Sequence, residues 1–127
     1  MRNLNLRVAL IIYGAIHIVQ GFALIVAPDR VARLSNFGEL AGYTPYLMAL
    51  LGGTFIAAAF LFIFTGLNPL RNISGVAFAV LWSVLLLVIQ LYSLGKDYLD
   101  LGQAWPEITL AAVFVVAFLV FYPYRQR

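Results

Sequence analysis

Four long apolar runs separated by short polar breaks predict an all-α integral membrane four-helix bundle. Hydrophobic residues make up 64% of the 127-residue chain, against roughly 45 to 50% in a soluble domain. The eight Lys or Arg and five Asp or Glu residues fall in short clusters rather than over a whole surface. Each run is also long enough, at about 1.5 Å per residue, to cross a hydrocarbon core of roughly 30 Å. A chain of this length has room for one domain, a single transmembrane unit over residues 1–127.

The first span is expected at 8–27, after Arg2 and Arg7. A basic start before an apolar run also marks a cleaved signal peptide. Here the run exceeds the roughly 7 to 15 residues of a signal core, and Ile25 and Ala27 form no small-residue cleavage site. The second span is expected at 45–65, with Thr44 as N-cap and Pro45 at the first helical position, where its missing N–H does no harm. The third, 73–94, is uncharged throughout and closes at Gly95, suited to a left-handed turn after a helix. The fourth is expected at 105–122, from Trp105 and Pro106 to Tyr122 and Pro123. Barrel strands are the weaker alternative because the runs far exceed about 9 to 11 residues and lack strict alternation.

Between the first two spans, Pro28 and Asp29 begin a segment in which Val31, Ala32, Leu34 and Phe37 alternate with Arg30, Arg33 and Ser35. That pattern predicts a short amphipathic helix in the membrane interface, within the first outer loop. Orientation follows from basic residues near the span ends. With the N-terminus inside, Arg2, Arg7, Arg71, Arg125 and Arg127 lie inside and Arg30, Arg33 and Lys96 outside. Asp29, Glu39, Asp97, Asp100 and Glu107 then fall at the outer side, so both termini are expected in the cytoplasm. Tyr43, Tyr46, Tyr92, Tyr98 and Trp105 would mark one interface and Tyr122 and Tyr124 the other, since amphipathic rings favour headgroup depth.

Composition closes several function classes. The net charge of +3 is too dispersed for a nucleic-acid surface. The absence of cysteine removes disulfides, thiolate metal sites and thiol redox chemistry. A lone histidine supplies too few ligands for haem or a metal, so no cofactor is expected. Gly52 and Gly53 lie inside a span and do not form a phosphate loop.

Two sets of residues stand out. Ala49, Gly53 and Ala57 in the second span, and Gly75, Ala79 and Ser83 in the third, recur every four residues. Such small-residue faces let membrane helices approach closely. Packing within the bundle is the leading reading, and a contact between two copies is the other. The second set is polar, and polar groups inside spans are costly and face the bundle interior. Taking run midpoints as the membrane centre puts His17 and Trp82 there, Gln20 one turn farther out, and Gln90 and Glu107 roughly 10 Å to the outer side. Tyr13, His17 and Gln20 share one helix face, and Ser83, Gln90 and Ser93 share another.

Together His17, Gln20, Gln90, Glu107, Tyr13 and Trp82 define a candidate polar pocket opening to the outer leaflet. Each has a structural explanation: His17 as a hydrogen-bonded packing residue, the glutamines as interhelical links, Glu107 as a carboxylate at a helix N-terminus, Trp82 as core. No nucleophile with an adjacent base is visible.

Three short segments carry a resemblance: A-P-D-R at Ala27 to Arg30, Y-L-M-A-L-L-G-G at Tyr46 to Gly53, and N-P-L-R at Asn68 to Arg71. With the four spans, they make the chain similar to the small bacterial membrane proteins grouped as DoxX-like. The resemblance implies a bacterial cytoplasmic membrane and a role near redox or stress functions, and it carries over no catalytic residues. Small multidrug exporters are also four-span proteins, but they look for an acidic residue in the first span, where this chain has none. The leading expectation is a four-span protein among membrane lipids that binds a lipid-like or hydrophobic small molecule, or serves as an accessory subunit of a partner membrane protein. An oligomeric, proton-linked transporter using His17 and Glu107 is the alternative, and an enzyme on a membrane-dissolved substrate the third.

Overall fold

The computed structural model describes residues 2–35, 37 and 41–124. Glu39, Arg125 and Arg127, counted in the orientation argument, lie outside the described residues. The elements are α1 (Arg2–Val26), α2 (Pro28–Leu34), α3 (Thr44–Leu67), α4 (Ile73–Gly95) and α5 (Leu101–Phe121). The four long helices are long and apolar enough to cross a membrane, and the protein is an integral membrane helix bundle. The short α2 begins where Pro28 and Asp29 were expected to start it and ends after Arg33.

The helix ends correct several expectations. α1 starts at Arg2 rather than near Val8, because hydropathy marks the hydrocarbon boundary whereas a helix continues through polar residues beyond it. The N-cap of α3 is Tyr43, not Thr44. After α4 the left-handed residue is Asp97, with φ of 57°, while Gly95 stays helical; Asp tolerates this region better than most side chains. α5 begins one turn before Trp105 at a capping box, in which the Asp100 carboxylate accepts from the Gln103 backbone N–H and the Gln103 side chain accepts from the Asp100 N–H. Pro106 is therefore inside the helix, where its ring deprives the Gly102 carbonyl of an intrahelical donor.

The helices form a ring in the order α1, α3, α4, α5, with the most extensive packing between α1 and α3 and between α4 and α5. The α1–α3 contact is built on glycine. A Cβ at Gly14 would meet the Ala59 carbonyl at 2.9 Å, one at Gly21 the Gly52 carbonyl at 2.6 Å, and one at Gly66 the Arg7 carbonyl at 3.3 Å. Partners advance by seven residues along α1 as they retreat by seven along α3, so two antiparallel helices stay in contact over two heptads. Arg7 adds a hydrogen bond from Nε to the Gly66 carbonyl at 3.2 Å, satisfying an acceptor near the C-terminal end of α3, where the helix dipole also favours a cation.

This replaces part of the expected small-residue face. Gly53 and Ala57 point outward and Ala49 is half-buried; Gly52, Ala58, Ala59 and Gly66 are the buried small residues of α3. The i, i+4 pattern had selected the face adjacent to the one that carries the heptad. On α4, Gly75, Ala79 and Ser83 are buried, and Gly75 packs directly on the Thr65 side chain of α3.

The core is concentrated in the half of the bundle that holds the chain termini and the α3–α4 turn. Leu6, Leu10 and Tyr13 of α1 meet Phe62 of α3, Val76 and Ala79 of α4, and Phe114 and Phe118 of α5. Tyr122 belongs to this core as well and is not an exposed belt residue, whereas Tyr43, Tyr46, Tyr92, Tyr98, Trp105 and Tyr124 are exposed. The opposite half, the α2 end, is open.

Neighbouring glycines test the helix register. Gly52→Ala places a methyl 2.5 Å from the Gly21 carbonyl, whereas nothing lies within 4 Å at Gly53. Unfolding in mild detergent should show Gly52→Ala destabilised by about 1 to 3 kcal/mol and Gly53→Ala unchanged or stabilised by up to about 1 kcal/mol. Equal effects would contradict this packing.

Candidate functional site

His17 is the hub of the interior. It is 1% exposed, on the α1 face that begins at Leu6 and continues through Leu10 and Tyr13. Its Nδ1 lies 2.9 Å from the Tyr13 carbonyl one turn back, and the Trp82 indole N–H of α4 donates to its Nε2 at 2.9 Å. An indole nitrogen can only donate, so Nε2 must be the unprotonated acceptor and Nδ1 must carry the hydrogen that goes to the Tyr13 carbonyl. The ring is thereby defined as the neutral Nδ1–H tautomer, with both nitrogens engaged. Because α1 and α4 lie diagonally across the ring of helices, this bond spans the centre of the bundle.

Aromatic rings enclose the imidazole. Tyr13 meets it edge-on with centroids 4.3 Å apart, Phe55 at 4.9 Å, Phe62 at 5.6 Å and Trp82 at 5.9 Å. Tyr13 in turn packs against Phe62, Phe114 and Phe118 at 4.4 to 5.2 Å. Its hydroxyl is buried without a hydrogen-bond partner among the described residues.

Toward the α2 end, Gln20 Nε2 donates to Glu107 Oε1 at 3.0 Å, joining α1 to α5. Glu107 is not in the first turn of α5, because the capping box starts the helix at Leu101; Asp100 and Gln103 hold the N-terminus, so the expected end-cap role for Glu107 does not apply. Glu107 is itself exposed, and it sits where the small cavity between the helices meets the open groove. Gln90 of α4 lines the same space.

The structure thus brings all six candidate pocket residues into one region, in two linked parts. A small cavity of about 40 Å³ is lined by Tyr13, His17, Gln20, Gln90 and Glu107, with Phe55, Leu86, Leu110 and Ala111. That is enough for one or two water-sized groups. Trp82 stands behind His17 and does not line it. Beyond Gln20, Phe55, Gln90 and Glu107, which both spaces share, opens a groove of about 640 Å³. Val19, Ala23 and Leu24 of α1, Val31 and Ala32 of α2, and Met48 and Leu51 of α3 form most of its wall. The groove is mostly apolar along its length, with Ser35 and Thr44 the polar residues of its wall, and polar at its floor.

Phe55 is the member missed by sequence reasoning, although it lies at the midpoint of the expected 45–65 span and so at the depth of His17. The groove wall carries no polar marker and could not be found from residue type. Among the described residues, no group of three His, Cys, Asp or Glu side chains is placed to hold a metal. His17 and Glu107 share the small cavity, but each is hydrogen-bonded to a different partner.

Comparison with protein-family models, curated proteins and solved structures finds no match for this chain.

The His17–Trp82 bond makes a non-additive prediction. Trp82→Phe orphans the His17 acceptor and His17→Phe orphans the indole donor, each costing about 1 to 3 kcal/mol in detergent unfolding. The double substitution removes both polar groups, so its cost should fall short of the sum by about 1 kcal/mol or more. Strict additivity would show that the pair is not coupled.

Proposed function

We propose that this protein holds a lipid-like or hydrophobic small molecule in the groove at the α2 end of the bundle. One observation carries the reading: an apolar groove of about 640 Å³ that ends on convergent polar side chains, Gln20, Gln90 and Glu107. This volume falls in the range of small-molecule sites, roughly 300 to 1,000 Å³, and such sites combine apolar walls with a few orienting polar groups. Polar side chains within membrane spans are expensive unless they serve packing or function. Here the Gln90 side chain, on α4, has no hydrogen-bond partner among the described residues.

In the same reading the termini are cytoplasmic and the groove opens toward the outer leaflet of a bacterial cytoplasmic membrane, with α2 lying in the interface. Kinship with DoxX-like bundles belongs to this proposal and contributes no catalytic residue. Service as an accessory subunit is compatible with it, since a bound lipid can also seat a partner. The proton-linked carrier is less well supported, because both His17 nitrogens are already hydrogen-bonded.

Filling the groove tests the reading. Ala23→Phe projects a ring into the groove wall. Native mass spectrometry of wild-type protein from mild detergent should show a bound small-molecule adduct, reduced about tenfold or more in Ala23→Phe, the loss expected when roughly 1.4 kcal/mol of binding is removed. Equal adduct levels in both proteins would overturn it.

A further inference from the structure

The floor of the groove places one acidic side chain, Glu107, among lining residues that include no Lys or Arg, and this narrows the ligand class. Glu107 Oε1 accepts from the Gln20 amide, a neutral donor that brings no opposite charge to the carboxyl group. No Lys or Arg lines either the small cavity or the groove, and His17 is neutral, with both nitrogens committed. A carboxylate within a membrane span calls for a partner of opposite charge, and the described protein residues supply none at this site.

The surrounding groups are arranged for a cation that can donate hydrogen bonds. Tyr13, whose buried hydroxyl has no hydrogen-bond partner among the described residues, lines the small cavity with Gln90 and Glu107. Their oxygens offer acceptors from α1, α4 and α5. Phe55, at the junction of cavity and groove, offers an aromatic ring to a cation, an attraction that strengthens when water is excluded. Beyond this floor the walls are mostly apolar, broken by Ser35 and Thr44.

We propose that the groove binds a single-chain alkylammonium amphiphile, with its ammonium group at Glu107, Gln90 and the Tyr13 hydroxyl and its chain along α1, α2 and α3. This rests on the groove being a small-molecule site. A fatty acid would set a second carboxylate against Glu107. An aminophospholipid would bring its phosphate to the same place. A neutral alcohol would bring no charge to Glu107.

Wild-type protein in phosphatidylcholine nanodiscs is titrated with dodecylammonium or dodecanol. Apparent affinity is read from the rise in thermal midpoint with amphiphile content and normalised to partitioning into empty discs. Dodecylammonium should bind about tenfold or more tightly than dodecanol, as expected for a charge-assisted contact. In Glu107→Gln, which keeps an acceptor for Gln20 but removes the charge, the preference should fall to about one. Ala23→Phe should weaken both amphiphiles together. Equal binding of the two by the wild type, a result that needs no variant to fold, overturns the ammonium assignment and leaves the groove reading standing. A preference that persists in Glu107→Gln also overturns the assignment. If neither amphiphile shifts the wild-type midpoint beyond the shift of Ala23→Phe, the groove reading itself fails.

Discussion

A histidine at the middle of a membrane span has no water to turn to, and the bundle is organised around how His17 is satisfied. In hydrocarbon an unpaired polar group costs several kcal/mol, so both ring nitrogens must find partners in the protein. One hydrogen bond returns to the Tyr13 carbonyl on the same helix; the other comes from Trp82 on the helix diagonally opposite. The first sets the ring on its own helix and leaves Nε2 directed across the bundle. The second ties α1 to α4 at a single depth. Lipid supplies no hydrophobic drive for association, so this directional bond and close van der Waals contact have to specify the arrangement together.

Close contact comes from the α1–α3 pair, where Gly14, Gly21, Gly52 and Gly66 allow backbone to approach backbone. With that pair held rigid and the aromatic cluster around Tyr13 filling one half, the bundle is dense toward the chain termini. Toward α2 it is not: helices that meet at His17 leave a groove between them, and the polar residues beyond His17 border open space. The packed core and the candidate site are therefore separated by depth. His17 and Trp82 lie at the boundary, closing the apolar core on one side and backing the polar cavity on the other.

Much of this architecture was legible because span length and hydropathy are one-dimensional properties. The four spans, the short helix after Ala27, and the common depth of His17 and Trp82 all follow from position along the chain. Other features depended on rotation about the helix axes. Ala49, Gly53 and Ala57 show a regular spacing, but the contact uses Gly52, Ala59 and Gly66; the seven-residue recurrence of Gly14 and Gly21 on the partner helix was the better signal. Glu107 was misread because hydropathy locates the membrane rather than the helix start, although Asp100 and Gln103 have the spacing of a capping box. The groove had no signature, since Ala23, Leu24, Met48 and Leu51 are ordinary span residues and the space between them arises only when helices splay.

The hydrogen-bond arrangement at His17 can be observed directly. In protein labelled with ¹⁵N-histidine and reconstituted in lipid bilayers, the single imidazole reports which nitrogen carries the hydrogen. The account predicts a protonated Nδ1 and an unprotonated, hydrogen-bond-accepting Nε2, with the Nε2 resonance shifting in Trp82→Phe. A protonated Nε2, or an Nε2 resonance indifferent to Trp82→Phe, would contradict it.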